Sequence, residues 1–248
     1  MEIVICGAGK VGEVLCCDLS LEHHKVVVIE ANEKRLDEMI CLADVTGVHD
    51  NGALSDVQIE AGVKTCDMFI AVTPNDETNI IAAITAKKLG ARHVIARVRN
   101  PEYSQQMDFL RESLGITLMI NPDLEAALEI KLMLAFPSAL SVESFGGGRF
   151  LIVEVKLPDN SIYAGRSLRD IGRQRGQVLV AVVERRGEIT IPDGDFVLKS
   201  GDHLYLTGSP EDIVRFRSAD HVKKRRPQSV LIVGGGRITR YLLPRLAH

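Results

Sequence analysis

The order strand, glycine turn, helix, strand, acid at the start of this chain restricts its fold more than any other feature. Glu2–Cys6 reads as a short apolar strand, and Lys25–Glu30, "KVVVIE", as a second that ends on an acid. Between them, Gly7-Ala8-Gly9-Lys10-Val11-Gly12 fits G-x-G-x-x-G and opens an apolar helical pattern over Lys10–Leu21. Apolar runs that do not alternate with polar residues are strands buried on both faces, so helices cover both sides of their sheet. Further strand patterns fall at 44–48, 67–72, 93–98 and 117–120. Helical patterns separate them at 32–42, 76–89 and 102–114, with a weaker one at 52–61. This alternation predicts an α/β fold, a doubly wound parallel Rossmann sheet with right-handed crossovers.

The glycines have separate physical roles. Gly7 permits the tight turn, Gly9 leaves no side chain between the backbone and a pyrophosphate, and Gly12 lets helix and strand pack closely. Ala8 and Val11 complete the loop, and Lys10 stands where it can neutralise a phosphate or remain an exposed lysine. The helix start offers unpaired N–H groups and a positive dipole end to an anion. Glu30 ends the second strand, where a carboxylate accepts hydrogen bonds from an adenosine ribose. A carboxylate there repels a 2′-phosphate, which favours NAD(H) over NADP(H). The other reading of Glu30 is a solvated acid capping the next turn.

Composition bounds the partners. With 248 residues, 46% of them hydrophobic, the chain can bury one or two cores. A net charge of −3 gives no global sign of nucleic-acid binding. The one basic run, "KKRR" at 223–226, has no interleaved aromatics, and aromatics are 4% of the chain, so a base-stacking platform is missing. Five cysteines, Cys6, Cys16, Cys17, Cys41 and Cys66, form no CxxC pair and read as buried thiols in a reducing cytoplasm. No metal site is expected from their spacing. No apolar run reaches membrane-spanning length, and no export signal is visible at the start.

After Pro122 the pattern changes. "PDLEAALEIKLMLAFP" reads as a helix with an acidic first turn and a proline stop, and it does not lead back into another strand of the sheet. Its apolar stripe, Leu124, Ala127, Leu128, Leu132 and Ala135, suits a connecting arm or a subunit contact. Residues 138–148 read as a loop. Four strand patterns, "RFLIVEVKL", "QVLVAVVER", "GEITIP" and "DHLYLTG", with short helices near 167–174 and 210–217, then make a small α+β module. A charged linker at 219–228 precedes "SVLIVGGGRITRYLLPRL", which repeats the start of the chain with Gly234 on Gly7 and Gly236 on Gly9. Thr239 stands where the third glycine would be. The expected organisation is a nucleotide-binding domain at 1–135, a C-terminal subdomain at 138–218, a linker at 219–228, and at 229–248 the start of a second Rossmann subdomain in a longer tandem.

The strings "IVICGAGKVG", "VVVIE", "FIAVTPNDETNIIAAITAKKLGARHVIARVRNPEY" and "AGRSLRDI…VAVVERRGEITIPDGDFVLKSGDHLYLTG" are similar to those of the RCK (KTN) family, the cytosolic nucleotide-binding regulators of potassium conductance, and within it of the TrkA group. The resemblance covers essentially the whole chain. It implies a non-catalytic regulatory subunit that binds NAD(H), or ATP and ADP. It implies a homo-oligomer, a dimer or higher ring, at the cytoplasmic face of the membrane, gating a Trk-type potassium-translocating membrane subunit, with no nucleic acid involved. It places Thr73 and Asp76 at the nucleotide, although Thr73 or Asn75 can equally cap the following helix. It places Arg97 against a phosphate or a neighbouring subunit's ligand, or in an interface salt bridge. The family often has Gly-Asp-Ala-Thr after the third strand; here the run is "TGVHDNGAL", so Asp50 or Asn51 becomes the adenine contact and His49 a turn residue.

The alternative on the same fold is an NAD-dependent oxidoreductase. It needs an acid or base beside the nicotinamide and a domain enclosing a substrate. His23, His24, His203 and His221 have no partner that the sequence makes evident, which favours the regulatory reading.

Overall fold

The computed structural model describes the chain except residues 105, 138, 147–148, 176–177, 221–226, 228 and 247–248. The backbone divides into two compact units, Met1–Ala127 with Gly234–His248, and Leu128–Val233. In the first unit, β1 (Glu2–Cys6), β2 (Lys25–Glu30), β3 (Thr46–His49), β4 (Met68–Ala71), β5 (His93–Arg97) and β6 (Leu118–Ile120) form one sheet. All its pairings are parallel, in the order β3-β2-β1-β4-β5-β6. Helices α1 (Lys10–Leu21), α2 (Glu33–Leu42), α3 (Ser55–Glu60), α4 (Asp76–Leu89), α5 (Pro101–Ser104) and α6 (Met107–Leu114) connect the strands, and α7 (Pro122–Ala135) follows β6. The strand order reverses between β1 and β4, the switch point at which such sheets open a crevice at their carboxyl edge.

Period-two burial explains the two helix layers. Ile3, Ile5, Val26, Val28, Ile70 and Val72 pack with Cys16 of α1 and Leu36 and Met39 of α2. The alternate residues Val4, Cys6, Ile29, Phe69, Ala71 and Val94 pack with Val57 of α3 and Ala82, Ala83 and Ala86 of α4. Both faces are apolar, so the strands carry no polar alternation. Local signals set the helix ends. Asn32 and Asn75 cap α2 and α4 by accepting Arg35 N (3.0 Å) and Thr78 N (2.6 Å). Gly90 ends α4 at φ +123°.

In the second unit, β7 (Ser141–Phe145), β8 (Phe150–Lys156), β9 (Leu179–Arg185), β10 (Glu188–Thr190) and β11 (His203–Gly208) form an antiparallel sheet in the order β10-β9-β11-β8-β7. Leu151, Val153, Val183, Leu204 and Leu206 pack against Ile171 of α8 (Leu168–Arg175) and Ile213 and Phe216 of α9 (Pro210–Ala219). Phe136, with Leu132 and Ala135 of α7 partly buried, completes this core. Asp202, 1% exposed, is held by Arg185 Nε and Nη2 at 2.7 and 2.8 Å and by Lys199 N at 2.7 Å.

Several elements differ from the sequence reading. The loop expected over 138–148 contains β7, an edge strand whose residues are mostly exposed; half-polar "SVESF" carries little apolar signal. The helix expected over 102–114 is two, α5 and α6, because Gln106 leaves helical geometry at φ −108°, ψ 2°. Most of the linker expected at 219–228, including its basic run, lies outside the described residues. The strand expected near 230–233 is not formed among the described residues. Leu231 and Val233 are 92% exposed there, and a strand without a partner sheet has no ladder or core to join. The helix that follows does form, as α10 (Arg237–Leu246), and belongs to the first unit.

Cys6, Cys16 and Cys66 are buried free thiols, Cys17 is half-buried and Cys41 is exposed. Burial, reinforced by the nearby Glu30 charge, pushes the Cys6 thiol up to about 12, which leaves it unreactive. Among the described residues no group of His, Cys, Asp or Glu is arranged to hold a metal ion, and no helix is long and apolar enough to cross a membrane.

Candidate functional site

Strand register assembles the site. Cys6 pairs with Ile29 and with Ala71, and Ala71 pairs with Ala96. The residues one step further on, Gly7, Glu30, Val72 and Arg97, therefore share one row at the carboxyl edge of the sheet. Glu30 pairs with His49 of β3 in the same row.

The glycine loop has the space its sequence implies. Gly7 adopts φ +108°, and a Cβ there would lie 2.9 Å from Thr73 N. A Cβ on Gly12 would lie 1.9 Å from Gly7 O, so α1 approaches the turn more closely than any side chain permits. A Cβ on Gly9 meets nothing within 4 Å. Gly9 is also the N-cap of α1 and supplies no side-chain acceptor. The first turn of α1 thus keeps its donors facing open space, the arrangement that binds phosphate. Lys10 and Val11 are exposed beside it, while Ala8 is buried.

Glu30 is 9% exposed, so it is not a solvated acid. Its Oε2 accepts Ala8 N at 2.7 Å and its Oε1 accepts Asn32 N at 2.9 Å. The carboxylate ties the glycine loop to the end of β2 and also closes the turn into α2. Each carboxylate oxygen has two lone pairs, so both retain capacity for a ribose hydroxyl.

On the adenine side, Asp50 and Asn51 are exposed in the loop after β3. Asp50 Oδ1 accepts Asn51 N at 2.6 Å, and Asn51 Oδ1 accepts Ala53 N at 3.0 Å, so both brace their own turn. His49 Nε2 lies 3.1 Å from Ala31 O, in a turn role. Gly52 rests on Cys6: a Cβ there would lie 2.3 Å from Cys6 Sγ. Gln58, fully buried on α3, donates through Nε2 to Gly52 O (2.7 Å) and Ala82 O (2.9 Å) and anchors this loop from below.

Across the switch point, Thr73 and Arg97 are joined by a residue the sequence reading did not single out. Asn79, fully buried on α4, accepts Thr73 N (2.8 Å) and Thr73 Oγ1 (2.7 Å) on its Oδ1. Its Nδ2 donates to Thr73 O (3.1 Å) and Arg97 O (2.9 Å). Arg97 Nη2 donates to Val72 O (3.0 Å) and Thr73 O (2.8 Å), while its buried Nε has no acceptor among the described residues. Burial, then the like charge of Arg99, depresses the Arg97 guanidinium, which marks a cation with incomplete compensation. Asp76 Oδ2 accepts Arg99 N (2.9 Å) and Asn100 N (2.8 Å), so Asp76 shapes the turn after β5. The helix cap is Asn75, not Thr73.

The second glycine loop keeps the same opening geometry. Gly234 adopts φ +101°, close to Gly7. Thr239, in the place of Gly12, donates Oγ1 to Gly234 O at 2.9 Å, replacing close packing by a hydrogen bond.

The TrkA-N domain model matches residues 3–122 and the TrkA-C domain model residues 152–219. The Trk system potassium uptake protein TrkA homolog of Archaeoglobus fulgidus is 36% identical over 249 aligned residues, covering 100% of this chain and 56% of that protein. The Trk system potassium uptake protein TrkA of Halomonas elongata is 33% identical, covering 100% of this chain and 55% of that protein. The chain thus spans about half the length of the curated relatives it matches. Among solved structures, the GsuK channel superposes with a TM-score of 0.66 at 22% identity, over 99% of this chain and 44% of that one. The GsuK channel bound to NAD gives 0.62 at 22% identity, over 99% of this chain and 44% of that one. These two support the fold. With TrkA-N and TrkA-C domains in sequence and the parallel and antiparallel sheets that correspond to them, the chain belongs to the TrkA family.

Proposed function

We propose that this chain is a nucleotide-sensing regulatory subunit of a Trk-type potassium uptake system. The observation that carries the reading is the row Gly7, Glu30, Val72 and Arg97, with open space at Gly9 and uncapped helix donors beside it. A dinucleotide or adenine nucleotide is the ligand class that uses all of these groups. Gly7, Ala8, Gly9, Lys10, Val11 and Gly12 hold the phosphates. Glu30 holds the adenosine ribose and favours NAD(H), with ATP or ADP as the other occupants. Asp50 and Asn51 border the adenine; Thr73 and Arg97 face the distal half of the ligand, and Asp76 holds the turn between them. The GsuK channel, which shares this fold and has been solved bound to NAD, supports this ligand class.

The regulatory role rests on family membership and on the site's chemistry. Hydride-transfer catalysis requires an acid or base beside the nicotinamide. At the ends of β4 and β5 the described residues include Thr73, Pro74, Arg97 and Arg99; of the acids beside them, Asp76 has Oδ2 committed to two backbone donors and Glu77 accepts the Tyr103 hydroxyl at 2.8 Å. A ligand that touches both sides of the switch point binds two arrangements of the site unequally, and only that difference shifts a conformational equilibrium. The partner is a potassium-translocating membrane subunit, engaged by a homo-oligomeric ring at the cytoplasmic face. Residues 1–135 and 138–218 act as the nucleotide-binding and C-terminal subdomains of one regulatory unit, and 229–248 begin another. Potassium flux through the membrane subunit, reconstituted with this protein, should change when NADH or ATP is added and should not change for a Gly9→Val variant. Flux that ignores nucleotide refutes the reading.

A further inference from the structure

The carboxyl edge of β5 and β6 carries a polar arrangement that nucleotide binding does not explain. Tyr241 on α10 is 5% exposed. Its hydroxyl accepts Asn121 Nδ2 at 2.7 Å and donates to Arg99 O at 3.0 Å, which uses its one proton. One turn earlier, Arg237 Nε meets Asp123 Oδ2 at 2.8 Å. Asn121 is also committed on its other side, where Oδ1 accepts Leu124 N (3.0 Å) at the start of α7. The second glycine-loop element is therefore fixed by one helix face to the segments that leave β5 and β6.

From that face a polar path runs back to the first glycine loop. Arg99 N and Asn100 N donate to Asp76, and Arg99 Nη2 donates to Pro74 O at 2.6 Å. Arg97 and Asn79 hold Thr73 O and N. Val72 N donates to Cys6 O at 2.9 Å and the Thr73 backbone leaves no room for a Cβ on Gly7, so the Thr73 turn packs directly on the phosphate loop. Each step before the last is a backbone group held by a half-buried or buried side chain. Such chains have few alternative arrangements.

We infer that the Tyr241 hydroxyl couples occupancy of the first glycine-loop site to the docking of α10, making the second glycine-loop element a reporter of the first site. This rests on the nucleotide reading above. A ligand that fixes Thr73 and Arg97 fixes the turn that presents Arg99 O, and thereby holds Tyr241. By thermodynamic reciprocity, a docked α10 raises nucleotide affinity by the same factor.

Hydrogen exchange of the full chain with and without saturating NADH, together with NADH titrations of the unaltered chain and Tyr241→Phe, tests it. The expected result is α10 amide exchange slowed about fivefold or more by NADH, with about a three- to tenfold loss of NADH affinity in Tyr241→Phe. NADH binding that leaves α10 exchange unchanged, or that is equally tight in a folded Tyr241→Phe, overturns the coupling while the nucleotide reading stands. No NADH binding to the unaltered chain overturns both. The exchange measurement uses the unaltered chain and decides the question even if the variant does not fold.

Discussion

Gly9 and Gly12, two glycines of one loop, should respond in opposite ways to the same added methyl group. At Gly12 the methyl would be placed 1.9 Å from Gly7 O, where real Cβ contacts below 3.0 Å are essentially never found. Neither the helix backbone nor the turn has a flexible side chain to give way. Overpacking of this kind costs about 1–3 kcal/mol. For a chain of this size about 1 kcal/mol shifts a melting transition by about 2–4 °C. Gly12→Ala should therefore lower the transition of the first unit by about 2–12 °C. At Gly9 the methyl meets no atom within 4 Å, and losing glycine at an N-cap costs under about 1 kcal/mol. Gly9→Ala should leave melting nearly unchanged, yet fill the space in front of the α1 donors and weaken NADH by about tenfold, or ~1.4 kcal/mol. Calorimetric melting and NADH titration of both variants provide the assay. A Gly9→Ala chain that binds NADH normally would show that the open space is not the phosphate site. A Gly12→Ala chain with unchanged melting would refute the close-contact reasoning.

Glu30→Gln keeps an acceptor for Ala8 N but removes the charge, so the NADPH-to-NADH affinity ratio should rise severalfold in competition titrations; an unchanged ratio contradicts the ribose role of Glu30. Asp202 gives a pH signature in the second unit. Burial alone raises its carboxyl, but the Arg185 fork and Lys199 N–H outweigh this and hold it below the ordinary range. Its contribution should be present at neutral pH and fade as pH falls below about 4, the unfolded value. Arg185→Met, which leaves a nearly inaccessible carboxylate without its counter-ion and with Lys199 N alone, should destabilise that unit by about 3 kcal/mol at pH 7 and less in acid, measured by urea unfolding. Leu128→Glu, on the apolar stripe of α7, should lower the oligomer mass in light scattering; an unchanged mass removes α7 from the subunit contact.

Much of the first unit was legible because parallel strands buried on both faces leave unbroken apolar runs, and because Gly12 has no substitute at a 1.9 Å approach. Glu30 was legible in position but not in contacts. The sequence places it at a ribose, while the structure adds Ala8 N and Asn32 N, backbone donors that no side-chain pattern announces. Asn79 was missed because a polar residue in "DETN" reads as helix surface. Its burial depends on Thr73 and Arg97, brought together only by the sheet. The faint signal was its place on the stripe that continues through Ala82, Ala83 and Ala86. The Asn121–Tyr241 contact spans 120 residues and has no local trace. β7 carries the signature of a loop because an exposed edge strand needs few apolar side chains.

The most direct test of the central claim is calorimetric titration of the chain with NADH, repeated in the presence of ATP and with Glu30→Ala. A single NADH site at the first glycine loop that ATP displaces, and that Glu30→Ala weakens for both ligands, is the predicted result. No binding of either nucleotide, or binding indifferent to Glu30, would contradict the nucleotide-sensor account.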